Sequence, residues 1–140
     1  MLKELFPGLY MLQASTLRTD LIDQLDTIGT NVIVNLNEEA FEDQVKDYLE
    51  STAVLIKCVH FGLYHSKVSM RSFTVLMDHL LMAYSQQEKI VFFATSDVCL
   101  GVAVCVYCKA SGLKKEEALK LAKLYEASDE SLKLIESILK

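Results

Sequence analysis

Ile90-Val-Phe-Phe-Ala-Thr-Ser-Asp-Val-Cys-Leu-Gly101 is the stretch that decides the fold. Ile90 to Ala94 is apolar without interruption and reads as a strand covered on both faces, since a strand with one solvated face alternates apolar and polar residues. Thr95-Ser-Asp97 breaks the run, and from Gly101 to Gly112 the chain is apolar almost all round, which predicts a buried helix. A strand feeding a tight loop and then a helix aims backbone amides at one spot, a layout that commonly holds a phosphate group. The side chains that do chemistry on such a group are missing from it. A scaffold without its reagents points to a protein that binds or regulates.

Working outward, strands and helices alternate. Leu9-Tyr-Met-Leu12 is a short strand after Pro7-Gly8, and Thr19 offers an N-cap for a helix with Leu21, Ile22, Leu25 and Ile28 on one face, closed by Gly29. Asn31 to Asn35 is a β-branched strand. Asn37 is placed to cap a helix that buries Ala40, Phe41, Val45, Tyr48 and Leu49, and Ala53 to Val59 is a third strand. Ser69 is expected to cap a long helix carrying Phe73, Leu76, Met77, Leu80, Leu81 and Tyr84. Two amphipathic helices finish the chain, Lys114 to Tyr125 and a last one capped by Ser128, with Leu132, Leu134, Ile135 and Ile138 inward. This pattern predicts an α/β fold, a mostly parallel central sheet of four to five strands with helices on both faces.

Composition narrows the function classes. The 140 residues fit one domain, 1–140, with a C-terminal helix at 128–140. A net charge of −5 argues against a broad nucleic-acid surface, and Lys114, Lys115, Lys120 and Lys123 are interleaved with Glu116 and Glu117 as on a solvated helix face. No apolar segment is long enough to span a bilayer, and the N-terminus lacks a signal-peptide core, so a cytoplasmic protein without a membrane partner is expected. Cys58, Cys99, Cys105 and Cys108 lie in apolar stretches and read as reduced thiols; the Cys105-Val-Tyr-Cys108 spacing falls in mid-helix, which favours packing over a metal pair. Neither a metal nor another cofactor is expected.

Four segments, in order, carry a resemblance. Pro7-Gly8-Leu9-Tyr10, Gly29-Thr-Asn-Val-Ile-Val-Asn-Leu36, the strand, loop and helix of residues 89–112, and Ser111-Gly-Leu-Lys-Lys-Glu-Glu-Ala118 together resemble the dual-specificity branch of the protein tyrosine phosphatases, from Phe6 to Tyr125. The family signature is His-Cys-x-x-x-x-x-Arg, then Ser or Thr, then Gly. Anchored on Gly101, it places Phe92 at the histidine, Phe93 at the nucleophilic cysteine, Ser96 at the loop glycine, Cys99 at the arginine and Leu100 at the hydroxyl. A pattern like Tyr-x-x-Ile-Pro-x-x-Asp carries the family's general acid. Here His60 falls on the proline and Leu63 on the aspartate, and no carboxylate lies between Glu50 and Asp78.

The resemblance therefore implies a catalytically degenerate member, a pseudophosphatase. Phe93 cannot form a covalent phosphoryl intermediate, and Cys99 cannot give the bidentate grip of a guanidinium. Asp97 would repel a dianion if it points inward. The backbone amides of Thr95, Ser96, Asp97, Val98 and Cys99 remain as a weak anion site, set against a collapsed loop with Phe92 or Phe93 filling the pocket. His60 and His65 are more readily structural than catalytic. Phe61, Leu63, Tyr64 and Met70 would line the pocket rim, as a docking patch or as core. The expected partner is a protein, phosphorylated or not, and the chain a monomer or a weak homodimer. The alternative is a thiol-dependent enzyme or redox sensor using Cys99, close to a helix N-terminus where a thiol pKa can fall.

Overall fold

The computed structural model describes residues 2–53, 55–62 and 70–139, the side chains of residues 70 and 71 apart. In chain order the elements are β1 (Leu2–Phe6), β2 (Leu9–Gln13), α1 (Thr19–Thr27), β3 (Val32–Asn35), α2 (Asp43–Glu50), β4 (Lys57–His60), α3 (Met70–Ser85), β5 (Ile90–Ala94), α4 (Val98–Ser111), α5 (Lys115–Leu124) and α6 (Asp129–Ile138). They form an α/β fold around one five-stranded sheet of order β1-β2-β5-β3-β4. β5 pairs in parallel with β2 on one side and β3 on the other, and among the described strands β1 is the one that pairs antiparallel.

The uninterrupted apolar run of β5 is explained by its place. Ile90, Phe92 and Ala94 face the larger core, beneath α3, α4, α5 and α6, while Val91 and Phe93 face a second core beneath α1 and α2. Adjacent strand residues point to opposite faces, so Phe92 and Phe93 never share a site. α4 is buried almost all round, as its composition requires, and stops at Gly112, which holds φ 71°.

Gly101 allows a close approach. A Cβ built there would stand 3.2 Å from the Ser131 carbonyl and 3.4 Å from the Leu134 side chain, so α6 crosses α4 at the residue without a side chain. Ile135 is fully buried by that crossing, and Leu132, Ile138 and Leu139 pack around it, which places the α6 stripe on its own chain.

Several local expectations need correction. β1 is an additional strand, joined to β2 through Pro7-Gly8 with Gly8 at φ 83°; its charged Lys3 and Glu4 mask the alternation. Arg18, not Thr19, is the cap residue of α1, and Thr19 is its first helical residue. Asn37 does not cap α2, which starts at Asp43 after Glu42, and in that segment only Leu49 is fully buried; Phe41, Val45 and Tyr48 are half-buried and Ala40 is exposed. The third predicted strand starts late, at Lys57, because Thr52 and Leu55 make a turn first, with Leu55 at φ 53°. The Ser69 cap falls outside the described residues.

Candidate functional site

Ligands of open parallel sheets sit outside the carboxyl ends of the strands. Here that edge gathers the ends of β2, β3 and β5 and the loop Thr95–Asp97. Side-chain hydrogen bonds hold this loop. The Thr95 amide donates to Asn37 Oδ1 at 3.0 Å, Gln13 Nε2 donates to the Thr95 carbonyl at 3.3 Å, and the Val98 amide reaches Ser96 Oγ at 3.4 Å. Asn37 is itself positioned from below. The Asn35 side chain accepts from the Asn37 amide at 3.0 Å and donates to the Glu39 carbonyl at 2.9 Å, and His60 Nε2 donates to the Asn37 carbonyl at 2.8 Å. His60 is thereby a strut for the loop.

The helix after the loop begins at Val98, three residues before the predicted start at Gly101, because Val98, Cys99 and Leu100 are themselves buried. Cys99 and Leu100 thus belong to the first turn of α4. Of the proposed anion donors, the Thr95 and Val98 amides are already engaged, and Asp97 turns its carboxylate to α6 instead of into the loop. Asp97 accepts from the Ser128 amide at 2.8 Å, from Ser128 Oγ at 2.6 Å and from Ser131 Oγ at 3.1 Å, while Ser131 Oγ also donates to the Asp97 carbonyl at 2.7 Å. An internal carboxylate therefore occupies the N-terminus of α6, where the helix dipole favours negative charge. Ser128, the predicted cap, still accepts from the Ser131 amide at 3.3 Å.

Phe93 is 2% exposed, and its ring lies 5.3 Å from that of Phe41. Phe92 is fully buried on the other face of the sheet. Phe61 packs edge-on against Phe73 at 5.7 Å, so it belongs to the core periphery. Leu63, Tyr64 and His65 lie outside the described residues, as does the Met70 side chain. Sequence reasoning missed the Asp97 clasp, whose partners are 31 and 34 positions away, although the Ser128 cap already marked one half of it.

The Cys99 thiol does not have the environment of a reactive one. It is fully buried, its Sγ donates to the Ser96 carbonyl at 3.5 Å, and burial pushes its pKa up to about 11, against the smaller lowering effect of the Leu100 and Cys99 amides. Desolvation outweighs the helix N-terminus. Burial likewise pushes Cys105 up to about 12 and raises Cys108. All four cysteines are free, and Cys58 is the one that is not fully buried. Native-state alkylation at neutral pH is expected to label Cys58 first and to leave Cys99, Cys105 and Cys108 unmodified until denaturant is added; peptide mapping of the labelled protein checks it. An unfolded thiol loses its proton near pH 9, whereas buried Cys99 holds its proton to about 11. Its contribution to stability is thus complete below pH 9 and lost as pH rises through 11, which denaturant titrations at alkaline pH will follow.

Two cavities flank the loop. One of about 640 Å³ lies towards β1, β2 and the start of α6 and includes Lys3, Gln13, Ser96, Asp97, Tyr125 and Glu130. The other, of about 490 Å³, lies towards the segment after β3 and includes Asn37, Glu38, Glu39, Phe41, Glu42 and Phe93. Among the described residues no group of three or more His, Cys, Asp or Glu is placed to hold a metal ion, and no helix is long and apolar enough to cross a membrane.

No family model and no curated protein matches the sequence. Solved structures match it in fold. Tk-PTP in its active form superposes with a TM-score of 0.76 at 13% identity, covering 98% of this chain and 95% of that one. Human DUSP28 gives 0.72 at 11% identity, covering 99% and 92%. A human tyrosine phosphatase-like serine/threonine/tyrosine-interacting protein gives 0.66 at 10% identity, covering 97% and 93%. At these identities the likeness establishes the fold: that of the dual-specificity and protein tyrosine phosphatases.

Proposed function

We propose that the chain is a pseudophosphatase, a phosphatase-like module that binds a protein partner in the cytoplasm and does not hydrolyse phosphate esters. The observation that carries this reading is Phe93. At the position that the resemblance assigns to the nucleophile stands a phenyl ring that is 2% exposed and packed into the core beneath α1 and α2. No thiolate, hydroxyl or amine is available there to accept a phosphoryl group.

Two further features support it. Cys99 stands at the arginine position, buried in the first turn of α4, where its thiol offers at most one weak donor. A phosphatase-like fold on a protein named for interacting is also found among the structural neighbours. The thiol-based alternative loses its support with the burial of Cys99.

The test is hydrolysis of an aryl phosphate. Purified protein is expected to release no p-nitrophenol from p-nitrophenyl phosphate at any pH from acid to alkaline. Turnover that follows the protein through successive columns and scales with its concentration overturns the reading.

A further inference from the structure

We propose that the crevice between the loop Thr95–Asp97 and the segment after β3 docks a basic, Arg- or Lys-rich segment of a partner protein, with its rim carboxylates taking the partner's cationic heads. This deepens the binding-module reading and rests on it. The cavity of about 490 Å³ opens at the carboxyl ends of the strands, with Phe41 and Phe93 in its apolar wall and Asn37 among its polar groups. Its charged lining consists of Glu38, Glu39 and Glu42, all exposed, with no Lys, Arg or His among the lining residues.

The charge is not confined to that rim. Nine of the 19 acidic residues, but only one of the 14 basic ones, fall within residues 19–50, which carry α1 and α2. All nine except Asp26 are exposed. The rest of the chain is net positive, so the overall charge of −5 understates how negative the segment is that carries α1, α2 and the three crevice glutamates. Arg18, just before this segment, is already paired with Asp20 at 3.2 Å.

Such a field steers cationic segments and repels anionic ones. A guanidinium or ammonium can lay its apolar stem along the Phe41 ring while its head reaches the carboxylates. A phosphorylated segment would bring its dianion against three carboxylates. The favoured partner chemistry is thus basic, not phosphorylated.

The experiment is a fluorescence-anisotropy titration with a labelled Arg-Ser repeat peptide, beside a phosphotyrosine-containing Glu-rich peptide. The Arg-Ser peptide is expected to bind saturably and to weaken with added salt. A triple variant, Glu38→Gln, Glu39→Gln and Glu42→Gln, is expected to lose about tenfold in affinity, and a charge-matched control, Glu116→Gln, Glu130→Gln and Glu136→Gln, to lose less than about twofold. Far-UV circular dichroism checks that both variants are folded. The proposal is overturned by an equal loss in both variants, by absent or non-saturating binding, or by tighter binding of the phosphopeptide. Sedimentation showing that the wild-type chain fills the crevice with a second copy overturns it too. Failure here, with p-nitrophenyl phosphate still not hydrolysed, leaves the module reading in place with another ligand; hydrolysis removes the module reading whatever the peptide does.

Discussion

Phe93→Ala is expected to lower the unfolding free energy by about 3–5 kcal/mol, the usual cost of truncating a buried aromatic residue. The ring is packed between the central strand and the helices α1 and α2, with Leu12, Ile33 and Val91 in the same core and Phe41 tilted against it at 5.3 Å. On its core side the neighbours are apolar, so truncation leaves a cavity among them. Phe93→Leu keeps most of the volume and is expected to cost less than half as much. Urea titrations of the three proteins decide it. If Phe93→Ala unfolds at the wild-type midpoint, position 93 is a vestibule and not part of the core, and the reading of the loop as given over to packing fails with it. The ring's burial contributes on the order of 2–3 kcal/mol by area alone, so position 93 is a stabilising one.

Asp97→Ala is the second large effect. Its carboxylate receives the Ser128 amide and the Ser128 and Ser131 hydroxyls, so its loss leaves the Ser128 amide and hydroxyl without their acceptor, while the Ser131 hydroxyl keeps the main-chain carbonyl of residue 97. The expected cost is about 1–3 kcal/mol, from the hydrogen bonds and the interaction with the helix N-terminus together. The damage should be local. Hydrogen exchange is expected to speed up through α6 and the loop Thr95–Asp97, while α1 and α2 exchange as before. Asp97→Asn, which retains an acceptor oxygen but not the charge, should fall between wild type and Ala. Uniform acceleration across the fold, or none in α6, would show that the clasp does not hold the helix to the loop.

The clasp and the Phe93 core flank the same loop after β5. A phosphate cradle presents amides and a cation to an external anion. In this chain the Thr95 amide is given to Asn37, and the carboxylate of Asp97 serves as an internal anion for a neighbouring helix. Both of these polar groups are spent inside the protein.

Much of this was legible in the chain. The five apolar residues of β5, the all-round apolar α4, the Ser128 cap and the glycines at 29 and 112 are local signals, set by periodicity and backbone preference, and the α/β class followed from their alternation. β1 was missed because Lys3 and Glu4 hide its pattern, and α2 was drawn too long because Asn37 has the chemistry of a cap. That side chain was instead required 58 positions away, by Thr95. The reading of Cys99 turned on burial: a helix N-terminus lowers a thiol pKa, but desolvation raises it more, and only packing says which dominates.

By itself the sequence determined the α/β class and the type of every element but β1, because these depend on neighbours along the chain. Tertiary structure alone decided that Phe92 and Phe93 serve two different cores, that Asp97 belongs to α6, and that Glu38, Glu39 and Glu42 line one crevice with Phe41 and Phe93. Those facts depend on which distant segments the sheet and helices bring within a few ångströms, where hydrogen bonds, desolvation and charge act.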